Sequence, residues 1–275
     1  MRTTPTACSA AYPCRCLIPL LWALLSSGIG FAAVPLAESY RAATLAEEQG
    51  RFADAIARYT DAIRENPNDA TAHYRRGLAY EQLSNRDRAL EDFNSAIRLD
   101  PELAAAYHHR GNIFRRRNVL VSALEDYDAA LRLMPDVPAV LVDRAVAHRR
   151  RGSFALSLAD FDRAIRLEPQ SAEAHDGLAW LAAICPDPAF RDGVQAVLHA
   201  QLACELSGWE IPSFIATLAA AHAEAGNFTE AVRLQRQYLE SDLSNFQRSA
   251  GRFRLNLYLD GRPYRALFPR GGATP

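Results

Sequence analysis

The sequence predicts an all-α fold, a solenoid of antiparallel helical hairpins, and three observations carry that reading. Prolines stand at 67, 101, 135 and 169, each 34 residues after the last, and a fixed period of roughly 20–50 residues marks stacked supersecondary units. Small and aromatic residues keep step with them. Ala43, Gly77, Gly111 and Ala145 come 24 positions before the prolines, and Ala55, Ala89, Ala123 and Ser157 come 12 before. Tyr59, Phe93, Tyr127 and Phe161 come eight before, and Ala62, Ala96, Ala130 and Ala164 five before. Within the second half of each unit, as in ADAIARYTDAI and DRALEDFNSAI, apolar residues recur three and four apart, which is the helical period. Nothing alternates like a strand.

The pattern has a packing rationale. Two antiparallel helices approach closely only where one presents Gly or Ala, and the aromatic ring fills the gap between successive pairs. Proline cannot extend the preceding helix, and the Asp or Asn near it suits a turn or cap. At these residues the chain resembles the tetratricopeptide repeat (TPR) family, over essentially all of the chain beyond its N-terminus. The resemblance implies a right-handed superhelical solenoid with four in-register units at 36–69, 70–103, 104–137 and 138–171. The fifth, 172–211, carries Ala179 and Ala196 in the small-residue places, 17 apart instead of 12. ICPDPAFRDG therefore reads as a five-residue insertion between two helices, after which Ala200 and Ala203 resume the pattern. The sixth unit, 212–243, turns at Gly226 and Phe228 and makes its close contact at Ala231.

The run LAWLAAICPDPAFRDGVQAVLHAQLACELSGW, with ATLAAAHAEAGNFTEAVRLQ and RLNLYLDGRPYR after it, resembles a C-terminal TPR module of bacterial proteins. That resemblance implies a structural signature without catalysis, with the inserted loop a shape feature or a docking loop. Phe246, Ala250, Phe253 and Leu257 recur four, three and four apart, so residues 246–259 are expected to form a helix that caps the sixth unit with this apolar face. Gly261 and Pro263 should stop it, within a C-terminal segment of 244–275.

At the other end, residues 1–33 read as a secretory signal peptide. Arg2 and Arg15 precede the apolar run LIPLLWALLSSGIGFAA, and Gly30 and Ala32 are placed around a cleavage bond. An uncleaved anchor is the alternative, since 17–34 is about long enough to cross a bilayer. Export to a bacterial periplasm is expected. Cleavage would remove Cys8, Cys14 and Cys16 and leave Cys185 and Cys204. These two are expected to stay wholly or partly unpaired, because Cys204 sits at a core place and Cys185 at the far end of the hairpin.

The formal charge is −1, from 31 basic and 32 acidic residues, which offers no broad basic footprint for nucleic acid. Every basic residue other than histidine is arginine. No nucleophile has an arguable base and orienting partner, no glycine-rich loop follows a strand, and no paired carboxylates stand out. The adjacent His108 and His109 point about 100° apart on a helix and make a poor chelate. The expectation is a binding protein, with no enzyme activity, metal or cofactor.

What remains is surface. The resemblance implies a concave groove lined by the first helix of each unit, and carrying the family's inner positions onto this chain selects Tyr40, Glu47 and Glu48, then Tyr74, Glu81 and Gln82. The third unit contributes His108, Asn112, Arg115 and Arg116, and the fourth Arg149 and Arg150. RRR at 115–117 and again at 149–151 suggests an arginine ledge for an acidic or extended protein segment. Ala139 and Asp143 stand where the family's clamp for C-terminal carboxylates needs basic residues, which puts that ligand in doubt. Two functions follow: an exported scaffold that binds a partner segment in its groove, or a membrane-tethered assembly or regulatory subunit.

Overall fold

The computed structural model describes residues 34–266, so the expected signal peptide at 1–33 lies outside the described residues, as do Cys8, Cys14 and Cys16. The described chain divides into two compact units that meet in sequence at Val137 and Pro138. The first unit contains α1 (Val34–Glu48), α2 (Phe52–Glu65), α3 (Ala70–Gln82), α4 (Arg86–Leu99), α5 (Ala104–Arg116) and α6 (Leu120–Leu133). The second contains α7 (Pro138–Arg151), α8 (Phe154–Leu167), α9 (Ala172–Ile184), α10 (Gly193–Leu206), α11 (Pro212–Glu224), α12 (Phe228–Glu240) and α13 (Asn245–Leu259). Within each unit consecutive helices pack as hairpins, in the expected all-α arrangement.

Local chemistry sets the boundaries. Asn66, Asp100, Met134 and Glu168, which end the second helices, all lie at φ between −133 and −135° with ψ of 85 to 94°. Each precedes one of the spaced prolines, whose ring bars the residue before it from the helical region. The first helices end differently. Gly50, Ser84, Asn118, Gly152 and Gly226 take positive φ, the left-handed conformation that closes a helix and reverses the chain. Asp69, Asn85, Ser171 and Asn227 cap the helices that follow them, each accepting a backbone N–H.

The small-residue frame is buried as predicted. Ala43, Ala145, Ala55, Ala89, Ala123 and Ser157 have no exposed surface. A Cβ on Gly77 would sit 2.7 Å from the Phe93 ring and one on Gly111 2.9 Å from the Tyr127 ring. Ser157 keeps the close contact by donating its hydroxyl across the hairpin to the Ala145 carbonyl at 2.8 Å. In the fifth hairpin the insertion forms a short 3-10 turn at Pro188–Phe190, and Asp192 caps α10 by accepting from Val194 and Gln195.

The C-terminal helix forms where expected, but its packed face differs. Phe246 and Phe253 are 83% and 58% exposed. Gly251 and Tyr258 are the buried residues of α13. The cause is a close approach at Gly251, where a Cβ would lie 2.8 Å from Leu239 and 2.9 Å from Tyr238. Gln235 secures it by donating to the Gly251 carbonyl at 3.1 Å. A capping box of Ser244 and Gln247 starts the helix.

Candidate functional site

In the first unit, four of the residues selected from the sequence, Tyr40, Glu47, Tyr74 and Glu81, make local polar and aromatic contacts. Tyr40 donates to Asp69 at 2.8 Å, on the carboxylate whose other oxygen caps α3. Burial and that carboxylate push the Tyr40 hydroxyl pKa well up. Tyr74 lies 6.0 Å from the Phe93 ring and 5.8 Å from His109, and His109 in turn meets Glu81 at 3.0 Å. Glu47 faces Arg75 at 3.8 Å. Burial raises the Glu47 pKa, with Arg75 pulling the other way. Glu48 and Gln82 are exposed.

His108 is buried beneath this surface. Its Nε2 meets the Asn112 amide at 3.2 Å. The Tyr127 hydroxyl donates to Asn112 Oδ1 at 2.7 Å and accepts from Arg115 Nε at 3.1 Å. Arg115 is therefore held in a defined orientation, half-buried, beside the exposed Arg116. A guanidinium oriented in this way is a ready partner for a carboxylate. The third arginine of the run, Arg117, is turned aside to Asp87 at 2.5 Å.

In the second unit, Arg149 lies over the Trp180 ring, 4.5 Å from its centroid, and Arg150 and Arg151 are exposed. Asp176 occupies the place that Tyr40, Tyr74 and His108 take in earlier repeats. One of its carboxylate oxygens is buried with no hydrogen-bond partner among the described residues. Burial pushes its pKa up to about 6, while Thr217 and Arg149 oppose the rise. Among the described residues the two cysteines, Cys185 and Cys204, are buried free thiols. Burial drives Cys204 to about 12 and also raises Cys185, so neither is a reactive thiolate at neutral pH.

A second periodic feature escaped the reading of the sequence. Arg76, Arg110 and Arg144 stand 34 apart, and each forms a bidentate pair with the aspartate 16 residues later, Asp92, Asp126 and Asp160, at 2.7–2.9 Å. The aspartates are 3–6% exposed. Arg76 also reaches Thr60 at 3.1 Å and Arg110 reaches Asn94 at 2.9 Å, so within the first unit these two arginines tie their hairpins to the preceding ones. The signal was present as a 34-residue recurrence of arginine and aspartate, hidden among solvated charges.

The fifth hairpin replaces this pair. Leu178 follows Arg144 by 34 residues and, allowing for the insertion, His199 takes the aspartate's place. His199 stacks on His175, with Nδ1 atoms 2.9 Å apart, and His175 Nε2 lies 3.1 Å from the Pro169 carbonyl. Burial, then the His175 neighbour, lower the His199 pKa against the opposing pull of Asp162. The unfolded chain takes up this proton near pH 6.5 and the folded chain resists it, so the pair withdraws stability as pH falls through that value. Asp176 acts in the opposite sense, because a raised carboxyl pKa withdraws stability as pH rises through about 6. Comparing wild type with His199→Gln separates the two. Between pH 7.5 and 5.5, the wild-type melting temperature should fall further than the variant's by about 2 °C or more; parallel pH profiles would remove the histidine pair as the cause.

Among the described residues no three His, Cys, Asp or Glu side chains are grouped to hold a metal ion, and no helix is long and apolar enough to cross a membrane. The profile of the tetratricopeptide repeat family matches at 40–104, 78–138, 110–172 and 142–184, which together span over half of the chain. Solved structures agree on the fold. PilF of Pseudomonas aeruginosa superposes with a TM-score of 0.66 at 14% identity, over 80% of this chain and 97% of its own. PilW, described as a widely conserved type IV pilus biogenesis factor, gives 0.65 at 19% identity, over 83% of this chain and 100% of its own. YrrB, described as having an unusual peptide-binding site, gives 0.53 at 18% identity over 71% and 97%. A search of curated proteins finds no match. The chain belongs to the tetratricopeptide repeat family.

Proposed function

We propose that the protein is an exported, non-catalytic adaptor that binds an acidic, extended segment of a partner protein on the inner helical face of its hairpins. The observation that carries this reading is Arg115, oriented by the Tyr127 hydroxyl and Asn112 with Arg116 exposed beside it. Orienting a long cationic side chain costs conformational entropy, and a guanidinium already held in place meets a carboxylate at reduced cost. Arg149 and Arg150 offer a comparable cation pair on the second unit. Membership of a repeat family and the likeness in fold to YrrB support binding as the class of function. The N-terminal apolar run supports export, and the likeness in fold to PilW and PilF is compatible with it.

Fluorescence anisotropy of labelled twelve-residue peptides graded in glutamate content tests the binding. Acidic peptides should bind the full chain with salt-sensitive affinity. The double variant Arg115→Glu, Arg116→Glu should weaken them by about tenfold or more, while Arg132→Glu, exposed on α6, should not. Equal affinity in all three proteins would remove the arginine pair from the site. The mass of the chain recovered from its host reports export separately, since cleavage removes the leader.

A further inference from the structure

The last-turn residues of the inner helices follow a simple rule in the first four hairpins. Glu47, Glu81, Arg115 and Arg149 are half-buried, and the next residue of each, from Glu48 to Arg150, is exposed. The fifth hairpin breaks it. Ala183 and Ile184, in the same places, are 1% and 2% exposed, and the chain's own C-terminal segment covers them.

After α13 ends at Leu259 and the chain turns at Gly261, with φ of +68°, the segment 262–266 runs without helical structure back to α9 and α11. Tyr264 packs edge-on against Phe253, 6.5 Å between ring centroids, and Arg254 lies 5.8 Å from the Tyr264 ring. Arg265 donates to the Ala183 carbonyl at 3.4 Å and pairs with one oxygen of Glu224 at 2.5 Å. The backbone N–H of Ala266 donates to the Ile184 carbonyl at 3.1 Å. The other Glu224 oxygen faces Arg191 of the insertion at 3.3 Å, and Arg191 also bonds the Cys185 and Pro186 carbonyls. The inserted loop thus helps build the wall of this site.

The chemistry of the site is that of two helix C-termini. Ile184 and Glu224 are the last residues of α9 and α11, where carbonyls lack intrahelical donors and the dipole favours cations. An N–H and a guanidinium from an extended segment answer both needs, and Tyr264 and Ala266 add apolar cover to the core beneath. None of these contacts requires a particular sequence beyond the arginine. Arg265 is 33% accessible, and Glu224, at 14%, keeps Arg191 as a partner at 3.3 Å when the segment leaves, so release does not strand the carboxylate. Short terminal segments held by so few bonds open locally without global unfolding.

We propose that this end of the inner face is a binding site for an extended, arginine-bearing protein segment, and that residues 262–266 are its built-in occupant, which a partner's segment must displace. The proposal rests on the protein-binding reading for its partner but not on Arg115 and Arg116. The probe is a fluorescein-labelled synthetic peptide of residues 260–275, titrated against the full chain and against a chain ending at Gly261. It should bind the shortened chain saturably and the full chain about tenfold more weakly or worse, and its Arg265→Ala version should lose about tenfold on the shortened chain. Equal binding to both chains, or no binding to a shortened chain that keeps its helical circular dichroism, would overturn the proposal. If the shortened chain does not fold, tryptic cleavage after Arg265 in the full chain gives the answer. It should proceed several times faster in Glu224→Gln than in wild type, and equal rates would overturn the latch. Glutamate-rich peptides at the arginine pair should be indifferent to Glu224→Gln, which keeps the two sites distinguishable.

Discussion

Phe93→Ala should cost about 3–5 kcal/mol of stability, read as a lowered urea midpoint of the helical circular dichroism signal of the full chain. Phe93 has no exposed surface and packs with Ala89, Ile113, Leu78 and Leu90. Its edge rests on Gly77, and the Tyr74 and His109 rings lie 6.0 and 5.7 Å away. The hairpin approaches through alanine and glycine, so much of its apolar area resides in this one ring, and neighbours held at helical spacing cannot collapse into the space left behind. Leu83→Ala, at a residue that is 50% exposed, should change stability by no more than about 0.5 kcal/mol. An unchanged midpoint for Phe93→Ala would mean that the ring does not hold the hairpin together.

The features legible in the sequence were those imposed on the backbone. A proline every 34 residues drives the residue before it into extended φ, and the four helix ends at Asn66, Asp100, Met134 and Glu168 follow from that restriction alone. Gly77 and Gly111 were legible for the same kind of reason, since their places admit no Cβ. Periodicity was less informative where one residue decides the packing. Phe246 and Phe253 form an apolar stripe on α13, yet the helix docks at Gly251 because a bare backbone permits the closest approach to Tyr238 and Leu239. In the candidate site, Asn112 and Arg115 were identified by register, but their orientation by the Tyr127 hydroxyl was not. The repeat register marks Tyr127 only as a core ring, whereas its hydroxyl reaches Asn112 and Arg115. The C-terminal latch depends on contacts between residues 82 apart in sequence, Ala183 and Arg265, and no local pattern encodes such a pairing.

Arg110→Met should also cost about 3–5 kcal/mol, because it strands a carboxylate that cannot reach water. Asp126 is 4% exposed, and burial raises its pKa even though the two Arg110 contacts, at 2.7 and 2.9 Å, pull the other way. Desolvation therefore outweighs the pairing for this group. Such a pair contributes little net stability while making either partner costly to lose alone. The loss in Arg110→Met should shrink as pH falls toward 4, since a folded carboxyl pKa raised above its unfolded value destabilises only once the group is charged. Adding Asp126→Leu should then restore most of what Arg110→Met removes, with a double-mutant cycle in urea measuring the coupling. Two hairpins of the chain already lack both partners. In the first hairpin the corresponding places hold Ala42 and an exposed Arg58, and in the fifth Leu178 and His199, so the aspartate is absent wherever its arginine is. A double variant that loses as much as the two single variants added together would show that the paired charges contribute independently, and that their joint absence from the first and fifth hairpins has another cause.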